Sequence, residues 1–310
     1  MLKKIRRLNS KQRTKQEERQ IIKELRQEFG FKLTELLPLT SLSKSTYYYQ
    51  PHERKQKISD KKLLTIILKI KKHNLGYGYL RVTDQLHRLG HKINHKRVQR
   101  IMHQNHISGR IYNLRAGKYD SSKGPQGKKA KNKFHRKFKT DRPYQKIVTD
   151  VSEFRYGNMS MNERIYISPY KDLCGGAIIG FSISDHPNTE FVMEGLKQVI
   201  DKRPNLNYRM TIHSDQGIQY QSNKYRNKLK RAKIFQSMSR RGNCHDNAAM
   251  ESFFHTMKVE MYFNQHYQTK EKLIKAIKKY LRYYNFERIR HTLKGKTPME
   301  YWNLALEKYI

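Results

Sequence analysis

The order of apolar segments in the second half of the chain limits most strongly the fold that it can adopt. Three strand-like segments follow one another, and helical and strand-like segments then alternate to about residue 286. The predicted strands are 147–151, 164–167, 176–183, 210–213 and 234–235. Three strands in succession followed by this alternation predict an α/β fold with a mixed five-stranded sheet flanked by helices.

The helices predicted in this half follow from apolar periodicity. They span about 188–200, 223–232, 246–262 and 269–286. In the third of them one apolar stripe recurs at i, i+3, i+4 and i+7, formed by Met250, Phe253, Phe254 and Met257. Such a stripe is typical of a helix that packs one face on a core.

The first 112 residues are predicted to be helical and basic. Apolar residues recur at helical spacing between 21 and 29 and between 63 and 68. Asn94 can cap a further helix, whose outer face carries Lys96, Arg97 and Arg100. Short helices with tight turns and a basic last helix indicate a helix-turn-helix unit that reads a major groove. Ordinary amphipathic helices with solvated cations would show the same pattern.

A basic segment separates the two halves. Residues 113–143 contain a stretch of serine, glycine, proline and lysine, and almost nothing apolar before Phe134 and Phe138. Low hydrophobicity with concentrated charge predicts that this segment is disordered in the absence of a partner. It also predicts a basic strap, a segment that follows the DNA backbone and contacts it through Lys128 and Lys129.

We therefore expect a helical DNA-binding region at 1–112, a basic linker at 113–143, a core with C-terminal helices at 144–303, and a tail at 304–310.

The charge of the chain indicates its partner. The sequence has 66 Lys and Arg against 26 Asp and Glu, a formal net charge of +40. Such an excess favours a polyanionic partner, and nucleic acid is the natural one, although a protein that only coats nucleic acid would share it. No apolar run approaches the roughly 18 residues of a membrane span, so no membrane partner is expected. Cys174 and Cys244 are too few for a disulfide framework, which favours a reducing, cytoplasmic location.

Acidic residues are scarce, so their positions are informative. Asp150 ends the first predicted strand, Asp215 follows the strand at 210–213, and Glu251 lies on the helix predicted at 246–262. Carboxylates at the ends of adjacent strands, with a third from a covering helix, can converge on a pair of Mg²⁺ ions that serve phosphodiester chemistry. Three solvated surface acids are the plain alternative.

Lys258 lies seven residues after Glu251, on the same face of the predicted helix beside the apolar stripe. Glu251 can therefore face the metals while the Lys258 ammonium meets a phosphate. The alternative is a simply solvated lysine.

Other polar residues near these motifs are open to more than one role. Asp172 is the strongest rival of Asp150, and we expect it on or near the second strand, facing the site but supporting the fold. Asp246 is expected to cap the helix of Glu251, and Glu153 to point away from Asp150 or into a loop. His213 either tunes Asp215 or contacts a phosphate, or is structural.

Residues near the C-terminus and a histidine cluster carry further alternatives. Arg288, Arg290 and His291 either contact DNA or pack the final helix; Arg288 and His291 are kept as candidates for DNA binding. The clustered histidines are His87, His91, His95, His103 and His106. No cysteine accompanies them, so helix-surface or phosphate contacts are favoured over a zinc site.

Several motifs together resemble those of the integrase-like DDE transposases of bacterial insertion sequences, of the type encoded by a second open reading frame. Thirty-five residues lie between Asp215 and Glu251, the separation found in that family. The matching segments are 149–152, 213–217, 239–254, 284–291 and 297–301. Lys258 falls where the family has a basic residue, and 76–81 and 94–98 resemble its helix-turn-helix segment.

The resemblance implies a ribonuclease-H-like integrase core preceded by an all-α helix-turn-helix region. It implies that Asp150, Asp215 and Glu251 are catalytic and bind two Mg²⁺ ions, with Mn²⁺ tolerated. The expected reaction is cleavage at the element ends followed by joining of a 3′-hydroxyl to target DNA, by a homo-oligomer in a synaptic complex at the bacterial nucleoid. Fusion with an upstream-frame DNA-binding polypeptide is common in such proteins.

Two other functions are compatible with much of the sequence. A non-catalytic DNA-binding regulator of transposition would share the charge and the helices, but the intact triad argues against it. A structure-selective nuclease would share the carboxylates but would cut without joining.

Overall fold

The computed structural model describes residues 14–48, 58–107, 109, 129–135, 137–240 and 244–310, without the side chains of 244 and 245. The chain divides into two compact units, Met1–Ser59 and Asp60–Ile310. No helix of the described residues is both long and apolar enough to cross a membrane.

The described part of the first unit is a small helical cluster. It contains α1 (Lys15–Phe29), α2 (Leu33–Leu36), a 3₁₀ turn (Leu37–Leu39) and α3 (Lys44–Tyr48). Helix α1 begins at a capping box between Thr14 and Glu17 and ends at Gly30, whose φ of 71° suits glycine. The buried residues that hold these helices together are Ile22, Leu25, Leu33, Leu36 and Leu42.

The second unit begins with three short helices, α4 (Asp60–His73), α5 (Tyr79–Arg88) and α6 (His95–Gln104). Each buries one apolar face, and the deepest residues are Leu63, Ile67, Val82, Leu86 and Val98. The predicted cap at Asn94 is confirmed, because its side chain accepts a hydrogen bond from the Lys96 N–H at 2.9 Å.

A mixed sheet forms the centre of the second unit, as predicted. Its strands are β1 (Lys146–Thr149), β2 (Ser152–Arg155), β3 (Arg164–Asp172), β4 (Ile178–Ser184), β5 (Thr211–Ser214) and β6 (Phe235–Met238). Strand β3 runs antiparallel to β1, β2 and β4, whereas β1 with β5 and β5 with β6 are parallel pairs.

The sheet has six strands rather than the five predicted, because β2 has a polar sequence that hid it. Its alternate residues are buried, and Glu153 lies opposite Tyr166 of β3. Glu153 is therefore on a strand, not in a loop, and its carboxylate pairs with Arg155 and Arg164.

Helices cover both faces of the sheet. One face packs on α7 (Thr189–Asp201), α8 (Ile218–Gln221), α9 (Asn223–Arg231) and α12 (Pro298–Leu306). The other packs on α10 (Ala248–Met257) and α11 (Lys270–Phe286). Consecutive residues of β1 point to opposite layers, Ile147 into the first and Val148 into the second.

The helix predicted at 246–262 is a succession of three helical types. A 3₁₀ turn (Cys244–Asn247) precedes α10, and a π-helical segment (Lys258–Tyr262) follows it. The Phe263 N–H bonds the Lys258 carbonyl at 2.8 Å, the wider ring that defines a π-helix.

Asp172 has a structural position at the far end of β1 from Asp150, because it lies opposite Ile147. Its carboxylate accepts hydrogen bonds from the Tyr144 and Cys174 N–H groups and from the Trp302 indole, at 2.6, 2.9 and 2.8 Å. Burial raises its pKa to about 7 against the effect of these donors. It ties β1, the β3–β4 turn and α12 together, so the expectation that it faces the site is wrong.

We predict that Asp172→Ala lowers the free energy of unfolding by about 3 kcal/mol, because three buried N–H groups lose their acceptor. Chemical denaturation measures this change. Asp201→Ala, at an exposed position, is the matched control and should change stability by less than about 0.5 kcal/mol. Equal effects of the two substitutions would contradict the structural role of Asp172.

Candidate active site

Asp150 and Asp215 lie side by side at the carboxyl ends of two parallel strands. Val148 of β1 is opposite His213 of β5, and each aspartate comes two residues later. Neighbouring strands are about 4.8 Å apart and in-register residues point to the same face, so the two carboxylates are close neighbours. Asp150 also occupies the break between β1 and β2, both of which pair with the same edge of β3.

Local hydrogen bonds orient both aspartates. Asp150 Oδ1 accepts from the Val151 N–H at 2.8 Å, and Asp215 Oδ1 accepts from the Gly217 N–H at 3.0 Å. The Asp215 carboxylate therefore closes an Asx-type turn after β5, whereas Asp150 bonds its own neighbour at the break between β1 and β2.

Burial and like charge together determine the electrostatics of this strand end. Burial, and then the negative charges of Asp215 and Glu251, hold the pKa of Asp150 well above its usual range. The Val151 N–H and the Lys258 ammonium act in the opposite direction. Two neighbouring carboxylates that repel each other are the arrangement that a bound cation would relieve.

Glu251 lies on the first turn of α10, which buries the predicted stripe and leaves the glutamate exposed. It is close enough to affect Asp150 electrostatically. Among the residues that the structure describes, however, no three His, Cys, Asp or Glu side chains are grouped closely enough to hold a metal ion. The fold thus brings Asp150 and Asp215 together and leaves Glu251 beside the pair.

Lys258 is half-buried at the start of the π-helical segment. Its ammonium lies 5.3 Å from the centre of the Phe154 ring. Burial lowers its pKa, and the charges of Glu153 and Asp150 raise it. The ammonium is therefore close enough to Glu153 and Asp150 to interact with them electrostatically, and it is not simply solvated.

His213 has a structural role. Its Nδ1 lies 2.8 Å from Ser237 Oγ and its Nε2 lies 3.1 Å from Ser239 Oγ, so both ring nitrogens are engaged. The ring stacks on Phe134 at 4.9 Å, and burial lowers its pKa to about 4. A neutral, fully bonded imidazole in the core does not contact a phosphate.

Residues 130–134 of the predicted linker pack beside this histidine. Phe134 is buried, and the Lys133 N–H donates to Ser237 Oγ at 2.8 Å. The expectation of disorder is therefore wrong for residues 130–134, whose one aromatic side chain has a place in the core. Residues 110–128, including Lys128, lie outside the described residues.

Asp246 connects this segment to the site. Its buried carboxylate accepts hydrogen bonds from Asn132 Nδ2 at 2.9 Å and from the Arg240 side chain at 2.9 Å. The N-cap residue of α10 is Asn247, and it makes no side-chain capping bond. The predicted cap by Asp246 is therefore wrong, because its carboxylate is used between segments instead.

The cations predicted to bind DNA through α6 lie on the surface of that helix. Lys96 is exposed. Arg97 Nε and Arg100 Nη2 bond the two carboxylate oxygens of Asp60, at 2.8 and 2.6 Å. The Asp60 side chain is partly exposed, so a phosphate can compete with it. Lys129 is exposed on the described end of the linker.

The two C-terminal candidates are engaged within the protein. Arg288 is buried, and its Nε and Nη2 each bond Glu260 at 2.8 Å. His291 Nδ1 lies 2.9 Å from Asp84 Oδ2. These contacts favour the packing alternative for both residues, because a phosphate would have to displace a bonded carboxylate.

Lys171 is a residue that the motifs did not reveal. It lies opposite Val148 on β3, is buried, and donates from Nζ to the Ala249 carbonyl of α10 at 2.9 Å. Burial lowers its pKa to about 7, followed by the charges of Arg290 and Arg288. In the sequence Lys171 stands between the apolar Tyr170 and the acidic Asp172, so no apolar pattern marks it as buried.

Comparisons with known proteins agree with this architecture. The family model for an integrase core domain matches residues 140–244, a second integrase core model matches 251–306, and a model for an HTH-like domain matches 58–115. A putative transposase InsK for insertion sequence element IS150 from Escherichia coli K12 is 40% identical over 91% of this chain and 97% of its own. An uncharacterized transposase-like protein from Haemophilus influenzae is 41% identical over 69% of this chain and 95% of its own.

Among solved structures, a simian T-cell lymphotropic virus intasome is similar at 16% identity, covering 76% of this chain and 74% of that one, with a TM-score of 0.43. Two observations together decide the family: the matches to the integrase core models, and the bacterial relative that is similar over nearly the whole chain. The chain belongs to the transposases of insertion sequences, with a ribonuclease-H-like integrase core preceded by a helix-turn-helix region.

Proposed function

We propose that this transposase performs metal-dependent cleavage of DNA at the ends of an insertion sequence and joins the resulting 3′-hydroxyls to target DNA. The observation that carries the proposal is the parallel pairing of Val148 with His213, two residues before Asp150 and Asp215, together with the effect of the Asp215 charge on the pKa of Asp150. The influence of Glu251 on the pKa of Asp150 supports its inclusion as the third carboxylate.

Asp150, Asp215 and Glu251 would hold two Mg²⁺ ions, with Mn²⁺ as a substitute. The donors are carboxylate oxygens, which suit a hard divalent cation, and the repulsion between the aspartates would be relieved by its charge. When bound, such a pair of ions activates the attacking oxygen and stabilises the leaving oxygen of a phosphodiester. Glu251 is exposed and outside a closed ligand group, so completing the set requires its side chain to approach the aspartates.

Residues around the carboxylates have separate tasks in this proposal. The Lys258 ammonium, held over Phe154 beside Asp150, would contact the phosphate that is attacked. Lys171 would act as a positioning residue, because it holds the first turn of α10 to β3 only two residues before Glu251. Buried and bonded side chains of this kind keep a site on rigid elements.

The remaining cations would bind and orient the DNA. Helix α6 would enter a major groove with Lys96, Arg97 and Arg100, after a phosphate or base edge replaces Asp60. Lys128 and Lys129 would follow the backbone of the DNA.

In this proposal residues 1–112 bind DNA, residues 113–143 form the strap and residues 144–303 carry out catalysis. The protein would act as a homo-oligomer at the paired ends, with an upstream-frame polypeptide as a further partner.

Asp215→Asn and Glu251→Gln are each predicted to lower strand transfer by roughly 1,000-fold or more, because the metal loses a ligand charge. The assay joins a pre-cleaved end oligonucleotide to a plasmid in Mg²⁺, and chelation by EDTA should abolish joining by the unchanged protein. Binding of the same oligonucleotide should stay within about threefold. Asp201→Asn is the exposed control, and retained joining in either variant would disprove the assignment.

Lys171→Met is predicted to lower the joining rate by about 10–100-fold and to raise the Mg²⁺ concentration that gives half the maximal rate, because Glu251 loses its support. Lys171→Arg should restore part of both values.

The control for this substitution is Lys71→Met. Lys71 is also a buried lysine that bonds backbone carbonyls, those of Leu75 and Tyr77 at 2.6 and 3.0 Å, but it lies in the helix-turn-helix region. The Lys71→Met substitution should lower the free energy of unfolding to a similar extent, and it should leave the Mg²⁺ dependence of the joining rate unchanged. The same unchanged Mg²⁺ dependence in Lys171→Met would show that Lys171 supports the fold only.

A further inference from the structure

Helix α11 carries four exposed cations on one face. Lys275, Lys278, Lys279 and Arg282 occupy positions i, i+3, i+4 and i+7. In the described parts of the chain none of the four has a carboxylate within ion-pair distance. By contrast, the cations at the start of the helix are engaged, Lys270 with Asp185 and Lys272 with Gln268.

The four cations of this stripe repel one another in the free protein. Like charges at i, i+3 and i, i+4 repel each other, and the stripe contains four such pairs. It adds nothing to packing, because the helix packs through its opposite face, mainly with Leu273, Ile277 and Leu281. An anion bound along the stripe would turn this repulsion into attraction.

A groove of about 980 Å³ lies beside the stripe and is basic on both sides. One wall is α11, with Lys279 and Arg282, and the other includes the end of α4, with exposed Lys72. Of the two acidic residues that line the groove, Glu260 is neutralised by Arg288, which leaves Glu287. The groove therefore has a clear excess of positive charge.

We infer that Lys72, Lys275, Lys278, Lys279 and Arg282 form a second DNA-binding surface, here called the α11 surface, which holds the sugar–phosphate backbone of duplex DNA without reading its sequence. This surface is separate from α6 and from the carboxylates. The inference rests on the proposed function, because it assumes that DNA is the substrate. What it adds is the place at which a second stretch of duplex is held.

The dimensions of the stripe suit a DNA backbone. From Lys275 to Arg282 the helix rises about 10.5 Å. One strand of B-DNA presents a phosphate about every 3.4 Å along the axis, so the stripe can neutralise about three phosphates. Lysine ammonium groups bind phosphates as point charges and carry little base information, which predicts binding independent of sequence. A second copy of a chain with a net charge of +40 would be repelled here.

The test compares two variants that lose the same charge. The first is Lys275→Gln, Lys278→Gln, Lys279→Gln, Arg282→Gln in the full chain. The control removes four cations of α9, by Arg226→Gln, Lys228→Gln, Lys230→Gln and Arg231→Gln. Each protein is titrated with a duplex that lacks element ends, over a series of salt concentrations.

We expect the slope of log K against log salt to fall by about 2.7 for the α11 variant, about 0.9 for each of three lost phosphate contacts. The control should lose less than about 1. The melting temperature of the α11 variant should be unchanged or higher, because like-charge repulsion is removed. The double variant Lys279→Gln, Arg282→Gln should give about half the change in slope.

Equal slopes for the α11 variant and the control would overturn the inference, since binding would then follow total charge. An unchanged slope together with a changed oligomeric state in sedimentation would overturn it in favour of a protein interface. The outcome is separable from the proposed function. At low salt the α11 variant should still join ends, whereas retained joining by Asp215→Asn would reject the catalytic assignment and leave the slope comparison intact.

Discussion

The parallel pairing of β1 with β5 is the constraint on which the candidate site depends. It sets Asp150 beside Asp215 and so creates a buried pair of like charges that is unfavourable by itself; burial, and then the Asp215 charge, raise the pKa of Asp150. The cost is offset by packing, because Ile147 and Val148 of the same strand are fully buried in opposite layers. Because the strand is packed on both faces, its pairing with β5 can keep the two carboxylates close together despite their repulsion.

Buried polar contacts then connect the other elements of the site to this strand pair. His213 joins β5 to β6 through two serine hydroxyls, and Asp246 joins the turn before α10 to the segment at 130–134. Lys171 joins β3 to the first turn of α10. Each contact satisfies polar groups that would be costly to bury alone, so together they specify one arrangement of the elements around the carboxylates.

Within the second unit, the helix-turn-helix region is bonded directly to the C-terminal part of the core. The Tyr77 hydroxyl accepts from the Ile289 N–H at 3.0 Å, and Arg88 forms a bidentate pair with Glu300. Arg81 lies 3.9 Å from Glu260, in the π-helical segment that continues α10. Residues at and just before helix α5 are thus bonded to the segment that continues the helix of Glu251 and to the C-terminal part of the core.

The sequence alone determined the family, the mixed sheet, the apolar stripe of α10 and the position of each carboxylate on its element, because periodicity and motif spacing are local properties. It missed β2, whose polar residues hide an edge pairing. It also placed Asp172 at the site and assigned Asp246 to the cap of α10, and the structure contradicts both. Only the tertiary structure decided that Asp172 bonds Trp302 away from the site, that Lys171 supports α10, and that Arg288 is bound to Glu260. Those outcomes depend on contacts between residues that are far apart in the chain. Such contacts determine which groups are buried and which charges are paired, and no single segment of the sequence contains that information.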